Sequence, residues 1–112
     1  MTDAEIVDAL KALAHPVRLR IMQALAGTEL NVGEIDDAAE IGQPTLSQQL
    51  AVLRNAGLVQ TRKDAKLVYY RIDESRMATV TGAMERLAEI TSSAPRPTRK
   101  SAPGVANFAR LG

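Results

Sequence analysis

The first third of the chain repeats apolar residues every three or four positions, which is the spacing of one helix face. Thr2 and Glu5 match a capping box, so a first helix is predicted to begin there. It should end near Pro16, because a proline disfavours helical geometry in the residue before it. Pro16 also suits the first turn of a second helix, which is predicted to stop at Gly27. The inward positions of these two helices are Ile6, Leu10, Leu13, Val17, Ile21, Ala24 and Leu25.

Two shorter helices are predicted next, joined by a tight turn that contains Gly42. Asn31, with Glu34 three positions later, indicates the start of a helix that runs to about residue 39. The following helix is predicted over residues 44–56, and Gly57 closes it. The apolar contacts of these two helices are Val32 and Ile35 in the first, and Leu46, Leu50 and Leu53 in the second.

After Gly57 the pattern changes from helical to extended. Residues 58–62 (LVQTR) and 67–72 (LVYYRI) are rich in β-forming residues and are separated by KDAK, which predicts a two-stranded hairpin. A hairpin of this size is stable only when it packs against helices. Asp73 is then suited to cap a long final helix.

The final helix carries a heptad-like apolar seam. Such a seam suits either the core of the monomer or an interface with a second copy of the chain. We favour a homodimer through the first and last helices, because a small domain with apolar helices at both ends needs a partner to bury them. The predicted dimerisation residues are Ile6, Leu10, Leu13, Met77, Val80, Met84 and Leu87.

The order of these elements predicts a mainly α fold with a small β-hairpin. The sequence α-α-α-α-β-β-α is that of a winged helix-turn-helix, here expected over residues 1–91. Residues 92–112 combine proline and serine with four basic residues and no periodicity, so a basic, disordered C-terminal tail is predicted.

The outward face of the 44–56 helix carries amides and hydroxyls, where Glu, Lys and Arg are usual. In a winged helix-turn-helix this second helix enters the DNA major groove by its N-terminal half. Gln can pair in bidentate fashion with adenine, and Ser or Thr can bond several base edges. A helical wheel points Gln48 farthest from the leucine stripe, whereas Gln49 lies nearer the stripe and is partly structural. The predicted base-contacting residues are Gln43, Thr45, Ser47, Gln48 and Gln49.

Charge is segregated along the chain although the formal net charge is only +1. Residues 43–71 hold five bases against Asp64 alone, whereas residues 29–42 hold five acids and no base. Basic residues on the hairpin and on the recognition helix can supply the salt-dependent phosphate term of DNA affinity. The predicted phosphate contacts are Arg54, Arg62, Lys63 and Lys66.

Several function classes are excluded by what the sequence lacks. Without cysteine there is no disulfide, thiol switch or thiolate metal site. No histidine accompanies a nucleophile, and no phosphate-binding glycine loop or metal-ligand cluster occurs, so we predict no enzyme, no cofactor and no metal. The single histidine, His15, precedes a helix-opening proline and is interpreted as a capping or packing residue. No apolar run is long enough to span a membrane, so we expect a cytoplasmic protein.

Three stretches resemble the ArsR family of bacterial winged-helix repressors: LKALAHPVRLRIMQAL, GQPTLSQQLAVLRNAGLV and TRKDAKLVYYRI. The resemblance as a whole covers roughly residues 6 to 90, and it is greatest to the sulfide-responsive, BigR-like branch. It implies a homodimer that binds a near-palindromic operator and leaves it when an inducer arrives. It also implies DNA-contacting positions at Gln43, Thr45, Ser47 and Gln48, with Arg62, Lys63 and Lys66 on the wing.

The two cysteines through which that branch senses its signal correspond here to Gln23 and Glu89. The inducer is therefore not sensed through a thiol, and its identity stays open. Whether the protein represses or activates transcription also stays open. We expect a sequence-specific regulator that binds double-stranded operator DNA and does not associate with a membrane. It responds to an unknown signal such as a small molecule. Two alternatives also remain open: a winged-helix module acting through a protein partner, and a low-specificity DNA-architectural protein.

Overall fold

Residues 1–93 are described by a computed structural model, with side chains described through residue 89. In chain order the elements are α1 (Asp3–Leu13), α2 (Pro16–Leu25), β1 (Leu30–Asn31), α3 (Val32–Ala39), α4 (Thr45–Asn55), β2 (Val59–Asp64), β3 (Leu67–Ile72) and α5 (Glu74–Ser93). The predicted order of helices and hairpin is confirmed, and β1 is added to it. Within residues 1–93, no helix is both long and apolar enough to cross a membrane.

Two helices begin with the capping boxes that the sequence predicted. In α1 the Thr2 hydroxyl accepts from the Glu5 backbone N–H at 3.2 Å, and the Glu5 carboxylate accepts from the Thr2 N–H at 2.8 Å. The backbone hydrogen bond to Thr2 lowers the pKa of Glu5. Asn31 and Glu34 repeat this reciprocal arrangement at the start of α3, with both distances at 2.9 Å. Each box satisfies two backbone donors that a helix start otherwise leaves unpaired.

The start of α2 is capped by His15, with Pro16 in the first helical position. The His15 imidazole accepts a hydrogen bond from the Val17 backbone N–H through Nδ1, at 3.1 Å. The interpretation of His15 as a capping residue is confirmed.

The core is built around α4. Leu46, Leu50 and Leu53 are all buried, as their spacing predicted. They join four further fully buried side chains from α2, α3 and the loop before β2: Ile21, Leu25, Ile35 and Leu58.

The inward face of α1 differs from the prediction. Ala9 and Ala12 are buried, whereas Ile6, Leu10 and Leu13 are only half-buried. Alanine has the small side chain that close approach of two helix backbones requires, and the larger residues are displaced to the flank of the contact. A similar change occurs in α2, where Met22 is buried and Val17 and Ala24 are half-buried.

The three strands form an antiparallel sheet in the order β1-β3-β2. The prediction that KDAK separates the two hairpin strands is wrong. Lys63 and Asp64 continue β2, where they pair with Val68 and Leu67. Only residues 65 and 66 connect the strands, and Ala65 takes a positive φ of 55°. We call the β2–β3 hairpin, residues 59–72, the wing. Strand β1 escaped prediction because its two residues exist as a strand only through pairing with Tyr69 and Tyr70.

The last helix, α5, begins at the predicted cap. The Asp73 carboxylate accepts from the Arg76 backbone N–H at 3.0 Å, and this hydrogen bond is the main cause that lowers the pKa of Asp73. The chain divides into two compact units between Thr81 and Gly82. Within the first unit Val80 is buried; in the second, the described residues continue α5 to Ser93, and Met84 and Leu87 are exposed. The tail predicted for residues 92–112 lies outside the described residues, apart from Ser92 and Ser93 in this helix.

Replacing His15 with Ala should destabilise the protein by about 1 kcal/mol, because the first turn of α2 loses its side-chain acceptor. Chemical unfolding of the two proteins measures this difference. His15→Asn keeps an acceptor at the cap and should retain most of the stability. An equal loss in both variants would show that His15 acts by packing and not by capping.

Candidate nucleic-acid interface

The turn between α3 and α4 is held by one short hydrogen bond. The Asp36 carboxylate, half-buried on α3, accepts from the Gly42 backbone N–H at 2.6 Å. Glu40 and Gly42 both have positive φ, at 56° and 85°, so the chain reverses within a few residues. Asp36 is not among the predicted site residues, because an aspartate in mid-helix carries no local sign that it reaches a glycine six positions later.

One face of α4 presents uncharged hydrogen-bonding groups to solvent. Thr45, Ser47 and Gln48 are exposed: Gln48 lies opposite the buried leucines and the other two flank it, and Gln43 is exposed just before the helix. We call Gln43, Thr45, Ser47 and Gln48 the DNA-facing row, after the role that the sequence predicts for them. Its outward orientation agrees with the helical wheel. Gln49 is half-buried, which also agrees with its predicted place near the stripe.

Two members of the DNA-facing row contact each other. The Ser47 hydroxyl donates to the Gln43 side-chain oxygen at 2.7 Å. One lone pair of the Gln43 oxygen is thereby taken by Ser47, and its NH2 group stays available. In this arrangement Gln43 can donate to a base or phosphate oxygen.

The wing carries three exposed basic side chains near its tip: Arg62, Lys63 and Lys66. Arg62 already has a partner in the same chain, since its guanidinium forks onto the Glu29 carboxylate with contacts of 2.8, 2.9 and 3.0 Å. It also lies 4.7 Å from the centre of the Tyr69 ring. The hydrogen bond between Arg62 and Glu29 lowers the pKa of Glu29 and raises the pKa of Arg62.

The Arg62 side chain is 53% exposed, so water and salt screen its ion pair with Glu29. An ion pair with this exposure contributes little stability, so Glu29 holds Arg62 only weakly. Arg54 is exposed in the last turn of α4. The structure therefore places the predicted basic residues on the surface of α4 and the wing. The ion pair of Arg62 with Glu29 was not part of the prediction.

The described part of the chain shows no group of three His, Asp or Glu side chains arranged to hold a metal ion. Gln23, at one of the two cysteine positions of the resembling branch, is exposed on α2. Glu89, at the other, is exposed on α5.

A helix-turn-helix with a polar recognition helix, followed by a basic hairpin, defines the class: a winged helix-turn-helix DNA-binding protein. Comparison with known proteins gives the family. Residues 15–61 match the family described as "Bacterial regulatory protein, arsR family". The chain belongs to the ArsR family, since bacterial transcriptional regulators are also similar to this chain over most of their own length.

Two curated relatives and one solved structure show the extent of the similarity. The biofilm growth-associated repressor of Xylella fastidiosa is 46% identical over 80 residues, which are 71% of this chain and 70% of the relative. The transcriptional activator HlyU of Vibrio cholerae is 42% identical over 84 residues, 75% of this chain and 78% of HlyU. The crystal structure of the repressor BigR from Xylella fastidiosa superposes with a TM-score of 0.62 at 41% identity, covering 83% of this chain and 90% of BigR.

These similarities confirm the predicted function class. The chain is a DNA-binding transcriptional regulator and not an enzyme. The relatives include one named a repressor and one named an activator, so family membership leaves the direction of regulation open.

Replacing Asp36 with Ala should destabilise the protein by about 1–2 kcal/mol, because the Gly42 N–H loses a charged acceptor. It should also weaken DNA binding, since the start of α4 is no longer held. Unfolding and gel-shift titrations measure both effects. Asp37→Ala is the matched control: it removes the same charge from an exposed neighbour and should change stability by less than about 0.5 kcal/mol. Equal effects from the two variants would mean that charge, and not the turn, explains the loss.

Proposed function

We propose that this protein is a repressor that occupies a near-palindromic operator as a homodimer and leaves it in response to a signal not sensed by a thiol. The observation that carries the proposal is the division of α4 into two faces. Its leucines are buried, whereas its outward face holds neutral donors and acceptors in place of the charged residues usual on a surface helix. Neutral amides hold a polyanion poorly but distinguish bases well.

The DNA-facing row chooses the sequence. Gln48 is the member farthest from the core and presents a complete amide, so it is assigned a bidentate contact with adenine. Thr45 and Ser47 flank it: the Thr45 hydroxyl can bond a base edge or a phosphate, and the Ser47 oxygen, whose hydrogen goes to Gln43, can accept from a base. Gln43, whose oxygen accepts from Ser47, acts as a donor.

Affinity comes from the basic residues around this row. Arg54, Lys63 and Lys66 are exposed and are assigned to phosphates. Arg62 joins them by exchanging Glu29 for a phosphate oxygen. Each phosphate contact adds to the salt dependence of binding without adding sequence preference.

A homodimer is proposed through α1 and α5. The large apolar residues of α1 are only half-buried, and Met84 and Leu87 of α5 are exposed, so apolar surface is available on both helices. A two-fold dimer matches a near-palindromic operator when its two recognition helices lie about 34 Å apart, one turn of DNA. The relative named a repressor supports repression as the outcome of operator occupancy.

Gln48→Ala should weaken binding to the operator by about 1–3 kcal/mol and relax sequence preference, since it removes a base contact. Lys63→Ala should weaken operator and random DNA about equally and reduce the salt slope by about one. Gel-shift titrations at two salt concentrations, with the upstream region of the gene against random DNA, measure both.

Equal loss on random DNA from both variants would contradict the division of roles. Two results for the unmodified protein would favour other functions. Absence of DNA binding favours a module that acts through a protein partner, and equal affinity for operator and random DNA favours an architectural protein.

Met84→Glu should shift the protein towards the monomer and weaken operator binding, because it places a charge in the proposed dimer surface. Met84 is 39% exposed, so the change leaves the monomer intact. Leu19→Glu is the matched control: Leu19 is 46% exposed on α2, outside that surface, and the change should leave the dimer unaffected. Sedimentation analysis measures the oligomeric state. A dimer that survives Met84→Glu would place the interface elsewhere.

A further inference from the structure

The guanidinium of Arg18, on α2, contacts two other helices at once. Its Nε donates to the Ala12 carbonyl at 2.6 Å, and its Nη2 lies 3.4 Å from the Lys11 carbonyl, both in the last turn of α1. Its Nη1 donates to the side-chain oxygen of Gln49, on α4, at 2.7 Å. Three helices therefore meet at this side chain.

These contacts suit the chemistry of arginine. The end of a helix leaves backbone carbonyls unpaired and carries partial negative charge, so a cation placed there is stabilised. The planar guanidinium presents several N–H donors in fixed directions. Nε and Nη2 can therefore cap the end of α1 while Nη1 donates to α4. Arg18 is half-buried, so these hydrogen bonds are only partly exposed to competing water.

Gln49 lies on the recognition helix directly after Gln48, yet its position differs. The side chain is half-buried and its oxygen is taken by Arg18, whereas that of Gln48 is exposed. A half-buried amide whose oxygen is held towards Arg18 is poorly placed to present both of its ends to adenine.

We propose that Arg18 and Gln49 are positioning residues, which set the rotation of α4 about its axis so that the DNA-facing row points into the groove. Gln49 then acts through Arg18 and makes no base contact of its own. The inference rests on the proposed function, because it concerns the presentation of that row. It narrows the set of residues that choose the sequence to those before Gln49.

The pair also links α4 to α1. Because α1 is part of the proposed dimer surface, Arg18 connects the recognition helix of each protomer to the element that sets the spacing between protomers. A shift at the end of α1 moves Arg18 and, with it, the side chain on which α4 is oriented.

Operator binding by Gln48→Glu and Gln49→Glu tests the inference, because both add one negative charge to adjacent positions of α4. Glu at position 49 still accepts from Arg18, so binding should fall by no more than about threefold. Glu at position 48 meets the DNA, and binding should fall by about 30-fold or more. Equal, large losses from both variants would overturn the inference, since Gln49 would then face DNA as Gln48 does.

Arg18→Lys tests the other partner and separates positioning from a phosphate contact. Lysine keeps the charge but cannot form the fork, so operator affinity should fall by about tenfold with the salt slope unchanged. If Arg18→Lys bound the operator as tightly as the original protein, the positioning role of the guanidinium hydrogen bonds would be overturned. Arg18→Gln, which removes the charge, should also leave the slope unchanged; a slope reduced by about one would show that Arg18 contacts phosphate.

Thermal unfolding without DNA tests the pair independently of the proposed function. Gln49→Ala should lower Tm by about 4 °C in the original protein and by much less in the Arg18→Lys background, because residues that share a hydrogen bond do not contribute additively. Additive shifts would overturn the pairing. If Gln48→Glu leaves operator binding intact, the proposed base-contacting row fails, and this melting cycle alone then decides for or against the Arg18–Gln49 pair.

Discussion

The burial of three leucines on one face of α4 is the constraint on which the rest of the structure depends. Leu46, Leu50 and Leu53 are at most 1% exposed. Burying a leucine side chain contributes roughly 1.5–3 kcal/mol, so the three together are comparable to the whole stability of a small domain. Rotating α4 by one residue, about 100°, would withdraw this face from the core. The residues opposite the leucines therefore face outward in any folded state, whether or not DNA is present.

Hydrophobic burial alone leaves the helix some freedom to tilt and slide, and polar contacts at its two sides restrict it. Asp36 holds the turn before α4 through the Gly42 N–H, and Arg18 reaches α4 from α2. Both are half-buried, and both use an ionised side chain to satisfy backbone groups near a helix end. Hydrogen bonds to charged groups are stronger than neutral ones, which suits them to holding a helix that must meet DNA in one orientation.

Charge is arranged differently on the wing, where weak interaction is an advantage. Arg62 forks onto Glu29, but the pair is exposed and therefore readily exchanged. Arg62 is therefore held near the tip of the hairpin only by an interaction that water and salt weaken. The acids of residues 29–42 lie in the part of the chain that leads to α4, and two of them, Glu29 and Asp36, accept hydrogen bonds from Arg62 and Gly42.

The sequence by itself determined the helices, their caps, the leucine stripe and the exposed row on α4, because periodicity and capping depend on residues within a few positions of one another. It also carried the family resemblance that the comparisons confirmed. Only the tertiary structure decided which small residues of α1 face the core, that β1 exists, and which polar side chains meet. Arg18 and Gln49 are 31 positions apart, and Glu29 and Arg62 are 33 apart. Such pairs form because packing brings distant segments together, and no local pattern in the chain records that meeting.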